Sequence, residues 1–252
     1  MYRSNLGSLY IRRSLFTCLL IFNTLYFKVF AENFPPNIDK LIGDKARLGS
    51  VWKGTKVVPK NIPILILAGH ADSQGISGAG TAGYQVGIKG ANQMDQSISD
   101  ELYWNIKIRD EIVRIGKEKG LVISSYDPGI RNIIDGNNSI TNWSVGAKHI
   151  RSGGYALEVH FDSYGEYGFG SGLIPALSAK LNYIDESLAN SFGRYPLFFR
   201  GGLGGPRRGI RILEIGKLEG QLENFLRNPL TRKKTIFLIS NKVVEAILVA
   251  LK

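Results

Sequence analysis

Two histidines that close apolar runs are the residues of this sequence best placed to do chemistry. Ile64-Leu-Ile-Leu-Ala-Gly-His70 ends a β-branched and leucine run on an imidazole, and Tyr155-Ala-Leu-Glu-Val-His160 delivers a second one in the same manner. Glu101 sits in the first turn of the helix expected after the first run. Two imidazoles and a carboxylate are the nitrogen and oxygen set that holds a zinc ion while keeping a fourth position open. The glutamate also has a plainer reading, because an acidic residue in a first turn complements the helix dipole.

Positioning such a set is the task of strands and the helices between them. Short apolar runs bounded by turn residues read as buried strands, and in an open α/β sheet ligands gather at the carboxyl ends of the strands. Ser99-Asp100 cap a helix expected over 101–119, where Leu102, Ile106, Ile108, Ile112, Val113 and Ile115 recur at helical spacing and Gly120 stops it. A strand over 121–126 and a helix over 141–152 follow. His149 lies in that helix beside Lys148 and Arg151 and reads as a solvated face residue.

In the strand around His160, Glu158, His160 and Asp162 share one face and Leu157, Val159 and Phe161 the other. Three polar groups on one face of a central strand cost several kcal/mol if buried without partners. A metal ion with carboxylates behind its ligands would account for them; an exposed face on an edge strand is the alternative.

Gly78-Ala-Gly80-Thr-Ala-Gly83 contains a formal G-x-G-x-x-G. A dinucleotide site needs those glycines in the turn that opens a helix. Here they come well past the strand and Tyr84–Gly90 is a poor helix start, so a mobile glycine loop over the metal site is the expectation. A second glycine loop, 200–209, carries Arg200, Arg207 and Arg208 and suits a carboxylate or phosphate of a substrate, or serves as an ordinary connection. It feeds Ile210-Arg-Ile-Leu-Glu214-Ile-Gly216, whose carboxylate emerges at a strand end as the histidines do. A helix over 179–192 and two more over 218–227 and 231–251 complete the pattern, the last with Ile236, Ile239, Val243, Val244, Ile247 and Leu251 for packing on the sheet.

The expected fold is therefore α/β: a single three-layer αβα domain over 62–252 around a twisted, mixed, mostly parallel sheet. Residues 32–61, broken by Pro35-Pro36, Gly43, Gly49 and Gly54, read as an irregular lead-in. Residues 1–31 read as a secretory signal peptide, with Arg12-Arg13 ahead of an apolar run and Val29-Phe-Ala31 as the cleavage site; an uncleaved anchor is the alternative. The net charge of +11 falls to +7 without that segment, which holds four basic residues and no acidic one. Such a balance suits a polyanionic surface. The absence of a recurrent basic-aromatic stripe argues for the cell envelope over nucleic acid. The single cysteine, Cys18, falls inside the signal segment, so the mature chain would have no disulfide, no thiolate catalysis and no cysteine-bound zinc.

Gly69-His70, Glu101 with Asn105 four residues on, Glu158-Val-His160 and Leu213-Glu214-Ile-Gly216, in this order, resemble the zinc-dependent N-acetylmuramoyl-L-alanine amidases of the amidase-3 type. The resemblance covers roughly 62–252. It implies zinc held by His70, Glu101 and His160, Glu214 as the catalytic proton carrier, and cleavage of the amide between the muramic lactyl group and L-alanine of peptidoglycan. Stem carboxylates would then meet Arg200, Arg207 or Arg208, with no nucleic acid, no stable membrane insertion after signal cleavage, and a periplasmic or envelope location. The need for an activator protein stays open. Departures from the family pattern are Ala71-Asp72 after the first histidine, Glu158 where a serine is usual, and Lys217 after the last motif. Alternatives are a non-catalytic peptidoglycan-binding protein on the same fold and a zinc peptidase or amidase acting on another envelope amide.

Overall fold

The computed structural model describes residues 37–46, 53–177 and 179–251. The chain divides into Met1–Asn37 and Ile38–Lys252, and the sheet with its helices belongs to the second part. The expected signal segment lies outside the described residues, as do 32–36 and 47–52 of the lead-in. Among the described residues no helix is long and apolar enough to cross a membrane.

The described lead-in is better anchored than its glycines suggest. Its helix α1 (Ile38–Ile42) buries Leu41 and Ile42, and the Ala46 amide donates to the Ser171 carbonyl at 2.7 Å. The strands are β1 (Ile64–Ala68), β2 (Ile123–Tyr126), β3 (Tyr155–Asp162), β4 (Gly172–Ile174) and β5 (Arg211–Lys217). They form one five-stranded sheet in the order β2-β1-β3-β5-β4. All neighbours are parallel except β4 against β5, the mixed and mostly parallel sheet expected. Every residue of β1 and β3 is buried, which explains the continuous apolar run of β1; β3 buries Glu158, His160 and Asp162 as well.

Helices cover both faces. Helix α2 (Asp100–Glu118) begins at Ser99, whose side chain accepts from the Leu102 amide, a cap that satisfies one of the helix's free donors. It packs on β1, β2 and β3, with Leu102 and Ile106 against Ala68 and Ala71. Helix α3 (Asn142–Arg151) covers the opposite face, where Trp143, Val145 and Ile150 meet Leu65, Leu67 and Ala156. Alternation along β1 sends its residues to these two layers in turn.

Helix α4 (Tyr183–Phe192) starts later than its periodicity predicts, because Asn182 and Asp185 form a reciprocal capping box. Helices α5 (Gly220–Arg227) and α6 (Pro229–Ala250) end the chain. Packing of α6 on the sheet was the expectation; its main neighbours are instead α2, α4 and α5. Small polar residues allow that approach: Thr235 and Ser240 are fully buried, and the Ser240 hydroxyl donates to the Ile108 carbonyl of α2 at 3.3 Å.

Candidate metal centre

The site lies at the carboxyl ends of β1, β3 and β5. The Gly69 amide donates to the Val159 carbonyl at 2.8 Å, prolonging the β1–β3 ladder by one residue. His70 then leaves the sheet with φ 63°, a left-handed conformation uncommon outside glycine, asparagine, aspartate and histidine. Gln74 holds that turn: its side-chain NH2 donates to the His70 carbonyl at 2.9 Å and its carbonyl accepts from the Ser99 amide at 2.7 Å. One glutamine thus ties the histidine turn to the start of α2.

Glu101, in the first turn of α2, reaches both imidazoles. Its Oε1 lies 3.4 Å from His70 Nε2 and 3.1 Å from His160 Nδ1, and it accepts from the Phe161 amide at 3.3 Å. Its Oε2 accepts from the Thr81 amide at 2.7 Å. Asn105, one turn on, donates to Glu101 Oε1 at 3.4 Å and to the Gly69 carbonyl at 3.2 Å. Burial alone would raise the Glu101 carboxyl; His70, His160 and the Thr81 amide outweigh it and hold the value down to about 2. For His70 burial dominates and lowers the imidazole, with Glu101 acting against it.

His70, Glu101 and His160 each offer one ligand atom, and these atoms lie within 4.8 Å of one another. Donors held about 2.0–2.1 Å from a tetrahedral zinc are about 3.3 Å apart, close to the 3.4 and 3.1 Å separations from Glu101 Oε1. The donor set suits a divalent metal ion such as zinc, and the two separations from Glu101 Oε1 match its coordination. The two rings meet edge to face, 4.7 Å between centroids.

Glu214 enters from the neighbouring strand, its Cα in register with that of His160. Its Oε2 is shielded from solvent without a hydrogen-bond partner among the described residues. Burial pushes the carboxyl up to about 8; His160 draws against that, while Asp162 and Glu101 add to it. A carboxyl poised there can take up and release a proton near neutral pH.

Asp162 lines the same cavity but is not one of the three converging donors, and its carboxylate is engaged elsewhere. The β3–β5 register shifts between His160 and Asp162, and such a bulge re-aims the side chain that follows it. The Asp162 carboxylate accepts from the amides of Ser163 and Gly170 at 2.8 and 3.0 Å and from the Tyr195 hydroxyl at 3.1 Å. It pins the loop that walls the site.

His70, Glu101, His160 and Glu214 line a cavity of about 640 Å³ together with Arg200 and Tyr167. Arg200 donates to the Tyr167 carbonyl at 3.0 Å and stacks over Phe199. The structure does not bring the other two arginines of that loop to the cavity. Arg207 is exposed and donates to the Gly201 carbonyl, while Arg208 donates to Asn137 and lies over Trp143. His149 is half-buried and not the solvated residue expected: its Nε2 lies 3.0 Å from the Pro63 carbonyl and its ring packs against Gly154. The glycine loop supplies Thr81 to Glu101, and a Cβ on Gly80 would sit 3.5 Å from the His70 ring. Gln74 and Thr81 escape any reading of periodicity, since neither belongs to a strand or a helix.

No protein-family model and no curated protein matches this chain. Solved structures do. Cwp6 from Clostridium difficile superposes with a TM-score of 0.51 at 11% identity, over 75% of this chain and 29% of that one. The N-acetylmuramyl-L-alanine amidase Ami1 from Mycobacterium abscessus gives 0.49 at 12% identity, over 75% and 99% of the two chains. The amidase AmiC2 of Nostoc punctiforme gives 0.46 at 14%, over 77% and 98%. At such identities the likeness concerns architecture. The chain is an α/β domain with one mixed sheet, the fold it has in common with Cwp6, and it carries a His-Glu-His group at the strand ends.

Proposed function

We propose that this chain is a zinc-dependent hydrolase of the cell envelope that cleaves the amide between N-acetylmuramic acid and L-alanine of peptidoglycan. The observation that carries the reading is the convergence of His70, Glu101 and His160 within 4.8 Å, beside a Glu214 carboxyl raised to about 8. Zinc held there would supply a Lewis acid for the scissile carbonyl and would acidify a water molecule toward neutral pH.

Glu214 accepts the proton of the attacking water as the oxygen–carbon bond forms. It returns that proton to the nitrogen as the carbon–nitrogen bond breaks, so the amine leaves neutral. Arg200, at the cavity wall, pairs with a carboxylate of the peptide stem. Export through the segment 1–31 and a net charge of +7 in the remainder suit an anionic envelope substrate.

The test is digestion of purified sacculi followed by mass spectrometry of the soluble products. The expected products are free stem peptides beginning with L-alanine, with release reduced about 10²–10⁴-fold by Glu214→Gln at unchanged zinc content. Equal release by that variant removes Glu214 from its role. Sacculus binding without release by the parent favours the non-catalytic reading, and fragments cut at another amide redefine the substrate.

A further inference from the structure

His160 stands between two carboxylates. Its Nδ1 lies 3.1 Å from Glu101 Oε1 on the cavity side, and its Nε2 lies 3.6 Å from Glu158 Oε2 on the sheet side. That Nε2 is buried and has no hydrogen-bond partner among the described residues, and Glu158 Oε2 is the acceptor beside it. A buried imidazole nitrogen costs free energy unless it finds an acceptor or a donor.

Glu158 is itself held in place. Its side chain is 3% exposed, and its Oε1 accepts from the Asn142 side-chain NH2 at 3.2 Å. Asn142 opens α3, its NH2 group also donates to the Ala68 carbonyl at 2.6 Å, and its backbone amide donates to Asp72 at 2.7 Å. A chain of contacts therefore runs Asp72–Asn142–Glu158–His160, from the loop after His70 to the outer nitrogen of His160. Two of the positions that depart from the amidase-3 pattern, Asp72 and Glu158, are joined by it.

From this geometry we infer that Glu158 is a positioning residue that fixes His160 in its Nε2–H tautomer, so that Nδ1 is the nitrogen presented to the metal. A carboxylate that accepts the outer N–H of a ligating histidine sets its orientation and raises its basicity. Nδ1 is the atom whose distance to Glu101 matches a shared ion. The inference rests on His70, Glu101 and His160 being the metal ligands.

The experiment uses the full chain labelled with ¹⁵N-histidine. With three histidines in the sequence, His149→Gln and spectral differences assign the signals. The zinc-loaded parent is expected to show His160 protonated at Nε2 with Nδ1 metal-bound. Zinc competition against a chromophoric chelator is expected to give about 10–100-fold weaker binding for Glu158→Ala. Glu158→Gln, which keeps the shape and an acceptor oxygen, is expected to restore part of that loss and keep the tautomer. A role confined to packing would change the melting temperature of the metal-free protein and leave tautomer and relative affinities alone.

Zinc affinity of Glu158→Gln and Glu158→Ala within twofold of the parent, or a loaded His160 protonated at Nδ1, overturns the inference while leaving the metal centre standing. A parent chain that takes up no zinc overturns the metal centre and the inference together.

Discussion

Gly69→Ala is the substitution that most directly tests the geometry of the site. A Cβ built on Gly69 would lie 2.5 Å from His160 Nδ1 and nearer still to Cε1 and Nε2. Comfortable separations for such atoms begin at about 3.5 Å, so the ring must retreat by about 1 Å. The Gly69 backbone lies outside the left-handed region, so the substitution acts through the ring and not through main-chain strain. Metal–ligand distances tolerate roughly 0.2 Å, and a displaced His160 leaves two donors of three. Zinc affinity is expected to fall at least about 100-fold, or about 2.8 kcal/mol at 1.4 kcal/mol per tenfold. The metal-free protein should lose about 1–3 kcal/mol of stability by overpacking. Competition with a chromophoric chelator gives the first quantity and urea denaturation of the metal-free protein the second. A folded Gly69→Ala protein that binds zinc within twofold of the parent would refute both the ring position and the assignment of His160 as a ligand.

Three further outcomes follow from the structure. Asp185 makes a two-point contact with Arg211 at 2.8 and 3.1 Å and accepts from the Tyr155 hydroxyl at the amino-terminal end of the strands; Asp185→Ala should cost about 3–5 kcal/mol in urea denaturation, with the zinc affinity of the folded protein unchanged. Arg200→Ala should raise KM for a stem-bearing muropeptide about 10-fold or more with little change in kcat, and an unchanged KM removes Arg200 from substrate binding. Burial would raise the Asp127 carboxyl, but Arg131, the Gly129 amide and Arg109 outweigh it and hold the value down to about 2 from 3.8. The stability it contributes is therefore complete above about pH 4 and is lost as pH falls from there through 2. Asp127→Asn should flatten the stability decline between pH 5 and 2.5, and equal slopes for parent and variant would count against it.

The pattern of residues along the chain determined the main elements and singled out the three side chains that converge as a candidate metal site. The apolar run at 64–68 is an interior strand because only a sheet covered on both faces buries every residue of such a run, and 155–162 is its alternating neighbour, with Leu157, Val159 and Phe161 on one face. Ser99 and the stripe from Leu102 to Ile115 specify α2 and place Glu101 at its start. Those signals are local, with periods of two and 3.6 residues.

What only the tertiary structure decided depends on contacts between distant segments. Parallel register brought Glu214 beside His160 across 54 positions of chain. The register shift in β3 engaged the Asp162 carboxylate, still at the cavity wall, with the 163–170 loop and Tyr195, where alternation had only grouped it with His160. Of three arginines in one glycine loop, Arg200 faces the cavity while Arg207 and Arg208 are drawn to Gly201, Asn137 and Trp143. The Asp72–Asn142–Glu158 chain joins three segments with no shared periodicity. Register, bulges and rotamers are settled by packing against partners far away in the chain, so no local pattern encodes them.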